Sequence, residues 1–173
     1  MSLYLYELVP TGDAGRAIDE FGAHASKAGG ELIEAQVTSG GARVFAITEF
    51  DGCQAPELPA GELFAETVDG PHQVRLVGAE LDAVKAARPT AGYLVEWDIP
   101  AEIDMETYLA RKKAKAPKYA DVPEVSFLRT YVREDMDKCL CFYDAPDEAA
   151  VRRARDAVST PVDRLHVLAN PQS

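Results

Sequence analysis

The chain has 173 residues, 47% of them hydrophobic, with a net charge of −11. That acidity argues against nucleic acid or an anionic membrane as a partner, since both would repel it. No apolar run approaches the roughly 20 residues that span a bilayer, and the opening "MSLYLYELVPTG" lacks the basic and apolar regions of a signal peptide, so a cytoplasmic location is expected.

"YLYEL" (4–8) reads as a strand with Glu7 inside it. Ile18, Phe21 and Ala25 recur at helical spacing, and that helix ends at Gly29-Gly30. "ARVFAITEF" (42–50) alternates as a strand does. The stretch "GCQAPELPAGELFAETV" carries two prolines and two glycines, which leaves one or two helical turns at Glu62–Thr67. A strand follows Pro71, and "AELDAVKAARPTAG" (79–92) reads as a short helical linker ending at Pro89.

The second half opens with "YLVEWDIP" (93–100), a strand with Glu96 inside it. Asp104 is a predicted N-cap, and Met105, Tyr108, Leu109 and Lys112 follow at helical spacing. Lys112, Lys113 and Lys115 form a basic last turn, read as solvated, before Pro117 stops or kinks the helix. Val125–Val132 and Cys139–Tyr143 are strands joined by the turn "REDMDK". "APDEAAVRRARDAV" is a helix capped by Asp147, with Val151, Ala154 and Val158 facing inward, and Arg164–Leu168 closes the sheet.

The two halves read as copies of one another. "YLYEL" answers "YLVEW", "ARVFAITEF" answers "DKCLCFYDA", and "VDGPHQVRLVGA" answers "VSTPVDRLHVLAN". Each copy has the order β-α-β-β-α-β, the α+β ferredoxin-like arrangement with both helices on one face of an antiparallel sheet. The bare faces need cover, and two copies can cover each other, as in a dimeric α+β barrel made within one chain. The expected division is 1–79, a linker 80–91, and 92–173, a pseudo-dimer open to further homo-oligomer formation.

"YLVEWDIP", "FLRTYVREDMDKCLCFYDAPDEAAVRRA" and "TPVDRLHVL" resemble a small bacterial family of ferredoxin-like, nickel-binding-protein-like domains. The resemblance covers roughly 92–168, with 3–78 as a diverged copy. It implies a dimeric α+β barrel and a bound metal ion, nickel, or a small ligand. The family's nickel reading leans on histidines in the first strand and both helices. This chain has Glu96, Trp97 and Asp98 in that strand, lysines in the first helix and "RRARD" in the second. Cys141 does stand at the family's strand-three cysteine. The candidate metal ligands are therefore Cys141 and His166, a thiol and an imidazole of the kind nickel favours.

Of the three cysteines, Cys53, Cys139 and Cys141, the last two form a C-x-C on one strand face and read as small core residues; an odd count without a disulfide framework suits a reducing compartment. Alternation places Tyr93, Val95 and Trp97 toward the helices, which turns Glu96, and Glu7 in the other copy, into the space between the sheets. Desolvation there would raise a carboxyl pKa and create an acid or base; an ion pair of Glu96 with Arg129 or Arg164 is the competing reading. Arg129 and Tyr131 share a strand face and could add a cation and a donor. The ligand-pocket candidates are thus Glu7, Glu96, Arg129, Tyr131 and Cys141. Three functions follow: a protein binding a small molecule or metal between its sheets, a cofactor-independent oxygenase, isomerase or cyclase using an inter-sheet Glu, or a purely structural assembly partner.

Overall fold

A computed structural model of the chain describes residues 2–51, 55–87 and 91–169. Cys53 and Pro89 lie outside the described residues. The chain groups into two units. One takes the described residues through Val74, with 80–87 and 168–169; the other takes 75–79 and 91–167. The stretch expected to join the halves contributes a helix, α2 (Leu81–Ala87), to the first unit. Among the described residues no helix is long and apolar enough to cross a membrane.

In the first unit, β1 (Ser2–Pro10) lies between β3 (Val44–Phe50) and β4 (Ala65–Val77), and β2 (Gly30–Val37) flanks β3. All pairings are antiparallel. Helix α1 (Ala14–Lys27) is capped by Asp13, whose carboxylate accepts from the Gly15 amide at 3.1 Å. Tyr4, Tyr6 and Leu8 join Phe21 and Ala25 of α1 in one apolar core, with the Tyr6 ring edge-on to Phe21 at 5.0 Å. The opposite face of this sheet is buried too, carrying Leu5, Phe45, Ile47 and Glu7.

The turns expected at Glu62–Thr67 are not there. A short 3-10 helix, Ala60–Leu63, stops at Phe64, whose φ of +53° no helix continues. Thr67 and Val68, both β-branched, already belong to β4. Leu63, fully buried, anchors this turn in the core in place of a helix face. At the start of β2, Gly30 pairs with Phe50, and a Cβ there would overlap that buried ring. Gly30→Ala should therefore cost about 1–3 kcal/mol of stability in denaturant titration. A loss under about 0.5 kcal/mol would mean that the ring has room to retreat.

In the second unit, β5 (Tyr93–Asp98) lies between β7 (Lys138–Asp144) and β8 (Arg164–Val167), and β6 (Ser126–Arg133) flanks β7. The strand order matches that of the first unit: second, third, first, fourth. This is the ferredoxin-like order, with antiparallel strands throughout. Helices α3 (Met105–Lys115) and α4 (Glu148–Ala157) cover one face. Asp104 and Asp147 cap them, each accepting a backbone N–H at 2.8 Å, from Thr107 and Ala150. Val95, Cys139, Cys141 and Tyr143 from the sheet share a core with Tyr108, Val151 and Ala154 from the helices. Pro117 ends α3 without ending the turn, because it sits in the first turn of a 3-10 segment, Ala116–Asp121. That segment delivers Tyr119, which stacks on Phe127 at 5.4 Å and meets the Tyr143 hydroxyl at 2.6 Å.

Candidate functional site

Alternation along β5 and β7 gives the second unit two chemically different faces. Leu94 and Glu96 of β5, with Lys138, Leu140 and Phe142 of β7, point away from the helices. Glu96 is 1% exposed. Its Oε1 accepts from Lys138 Nζ at 2.6 Å, and its Oε2 accepts from Arg164 Nε at 2.9 Å and lies 2.7 Å from His166 Nε2. Arg164 also engages Asp98 through both terminal nitrogens.

Burial alone would raise the Glu96 pKa, but hydrogen bonds from His166, Lys138 and Arg164 outweigh it and hold the carboxyl down at about 2. The raised carboxyl expected of an acid or base is therefore not found, and the ion pair with Arg164 is. Arg129 and Tyr131 share this face, opposite Phe142 and Leu140 respectively, and both are fully buried. The Arg129 guanidinium stands 4.8 Å over the Phe142 ring. Glu7, in the first unit, is also buried on the helix-free face, and accepts from Arg43 Nη1 at 3.1 Å.

The helix-covered face holds a cavity of about 40 Å³. Its floor is Cys139 and Cys141, which β7 alternation places on one side with their Sγ atoms 3.9 Å apart. Its walls are Trp97, Tyr108 and Tyr119, and its cations are Arg111, Lys112, Lys115 and Arg155. Arg155 is 2% exposed. One terminal nitrogen donates to the Tyr143 hydroxyl at 3.0 Å and the other to the Pro161 carbonyl at 2.7 Å. Its Nε–H has no partner among the described residues.

Thr130 Oγ1 donates to Cys141 Sγ at 3.3 Å. The Cys139 thiol, together with Lys112, Arg155 and Thr130, draws Cys141 well below the ordinary thiol range, while Cys139 is pushed up. Burial holds the Tyr108 and Tyr143 phenols protonated.

The sequence candidates thus separate. Glu96, Arg129 and Tyr131 share a face with His166, Cys141 lies on the opposite face of the same sheet, and Glu7 lies in the other unit. Cys141 and His166 are not brought together, since Leu94, which pairs with His166, and Val95, which pairs with Cys141, point to opposite sides. Among the described residues no three His, Cys, Asp or Glu side chains cluster as metal ligands.

Sequence reasoning missed the cavity's cations. Lys112 and Lys115 read as a solvated turn, yet they stand four and seven residues after buried Tyr108, on its stripe. Arg155 stands four after Val151, on the inward stripe of α4. The spacing carried the signal; the charge hid it.

Residues 93–167 match the family of SCO4226-like proteins, described as nickel responsive. The match falls within the second unit and includes every residue lining the cavity. Among solved structures, the crystal structure of a provisionally assigned chlorite dismutase, TA0507, is similar over 98% of this chain and 96% of its own, with a TM-score of 0.56 at 12% identity. That likeness is one of fold, and it fits the α+β ferredoxin-like class. A microcompartments protein from Desulfitobacterium hafniense DCB covers 99% of this chain and 95% of its own at 14% identity, but its TM-score of 0.30 is too low to indicate a shared fold. No curated protein is matched.

Proposed function

We propose that the chain is a small-ligand binding protein whose site is the cavity between α3, α4 and the inner face of the second unit's sheet. The observation that carries this reading is a buried, incompletely satisfied Arg155 lining a cavity floored by two thiols. Buried polar groups are normally satisfied, and a cavity-lining arginine with donors to spare is a group that a ligand would complete. The similarity of residues 93–167 to a family described as nickel responsive supports a binding role.

The common strand order supports an origin by duplication, with a first copy whose second helix has shrunk to a 3-10 turn. A reducing, cytoplasmic setting suits two neighbouring free thiols.

The donor set does not fit nickel. The cavity offers two thiols but neither imidazole nor carboxylate, and it surrounds them with four cations that oppose a divalent ion. An enzyme using Glu96 as acid or base has the fold likeness behind it, but a carboxyl with a pKa near 2 is a poor proton donor or acceptor at neutral pH.

Thiol labelling tests the binding reading. Methyl methanethiosulfonate should modify the peptide containing Cys139 and Cys141 in the folded protein, at a rate well above that of global unfolding. Modification no faster than unfolding would overturn an accessible cavity. Nickel(II) chloride should leave that rate unchanged, and protection at micromolar nickel would restore the metal reading.

A further inference from the structure

Resting on that reading, we propose that the cavity recognises the anionic group, a carboxylate or a phosphate, of a small ligand, with Arg155 as its central donor and Lys112 at its rim.

Arg111, Lys112, Lys115 and Arg155 all line the cavity, and among the described residues none of them forms an ion pair with a carboxylate. Several acidic groups of this unit pair with cations outside the cavity: Glu96 and Asp98 with Arg164, Asp135 with Arg133, Glu148 with Arg152. For a chain of net charge −11, four cations at one cavity without a carboxylate is a local reversal of sign. The phenols of Tyr108, Tyr119 and Tyr143 are shifted toward the protonated form, so they add no negative charge. The thiols can add one, at Cys141. One thiolate against four cations still leaves the cavity positive.

Arg155 gives that field a direction. A guanidinium has five N–H donors, and Arg155 uses two, on Tyr143 and Pro161. That leaves donors on a cavity-lining guanidinium, whose fork suits the oxygens of a planar or tetrahedral anion. Lys115, donating to the Ser159 carbonyl, is shifted down by burial and by Arg111, Lys118 and Arg155, as expected where cations crowd without a counterion. Lys112 stands over the Phe127 ring at 4.5 Å, which keeps its ammonium near the cavity instead of in bulk water.

Size limits the ligand. About 40 Å³ holds roughly three water-sized groups, enough for an oxyanion and too little for a whole nucleotide. Trp97 and Tyr108, stacked at 6.1 Å, give the wall an apolar part against which an attached carbon group would rest.

The experiment measures protection of the Cys139–Cys141 peptide from methyl methanethiosulfonate, and the melting temperature, in phosphate, sulfate and acetate. Sodium chloride at matched ionic strength is the control. At least one anion should slow labelling and raise the melting temperature beyond chloride; tetrahedral anions winning indicates a phosphate ligand, and acetate winning a carboxylate. Lys112→Gln should weaken the effective anion by about tenfold, and Arg155→Met should abolish its effect. If Arg155→Met does not fold, Lys112→Gln, whose residue lies at the rim, decides alone. Labelling that proceeds in the folded protein but responds to no anion beyond chloride would overturn this inference while leaving a small-ligand cavity in place. So would an anion effect of equal strength in Lys112→Gln.

Discussion

Glu96→Gln should lower the free energy of unfolding by about 3–5 kcal/mol, the range found when one partner of a buried ion pair is removed. Three groups converge on this carboxylate: Lys138, Arg164 and His166. Arg164 retains Asp98 when Glu96 is lost, and Lys138, whose side chain is 10% exposed, loses the carboxylate that meets its ammonium at 2.6 Å. The amide keeps the shape of the carboxylate and removes its charge, so the loss reports electrostatics, not a cavity. Lys138→Met should cost less in the Glu96→Gln background than in the parent, because the interaction between the two side chains is already gone. A loss of less than about 1 kcal/mol in denaturant titration would mean that solvent screens the cluster as it does a surface pair.

The same cluster should make the protein acid-sensitive in a defined window. The folded value near 2 lies below the carboxyl's ordinary 4.5, so the stabilisation is complete above about pH 4.5 and drains as pH falls toward 2. The difference corresponds to about 3 kcal/mol. Denaturant titrations of the parent and of Glu96→Gln across this range should converge by about that amount as the pH drops. Parallel curves would show that Glu96 binds its proton equally in folded and unfolded chains.

Much of the second unit was legible in the sequence because its signals are local. Asp104 and Asp147 precede helical spacing and cap as predicted, and Val95 and Trp97 take the helix side that alternation assigns them. In the first unit the Pro- and Gly-rich stretch concealed an early turn into β4, because the left-handed Phe64 that ends the 3-10 helix carries no sequence mark. The candidate site was half legible. That Glu96 would be buried followed from its place in a central strand. Which groups it would meet did not, since Lys138 and His166 lie diagonal to it across β7 and β8 and their approach depends on register. The cavity was illegible for another reason: lysines and arginines at helical spacing are usually solvated, and only the packed helices turn Arg155 and Lys112 toward the thiols.

β7 carries both chemistries at once. Lys138, Leu140 and Phe142 belong to the charged layer, and Cys139, Cys141 and Tyr143 to the cavity side. A single-residue insertion or deletion within this strand would exchange the two sets, placing thiols against Glu96 and a lysine in the cation-lined cavity. The turn between Arg133 and Lys138, by contrast, lies outside the ladder and can change length without moving either set. The chain's tolerance to length variation should therefore switch abruptly at Lys138, where loop becomes partition.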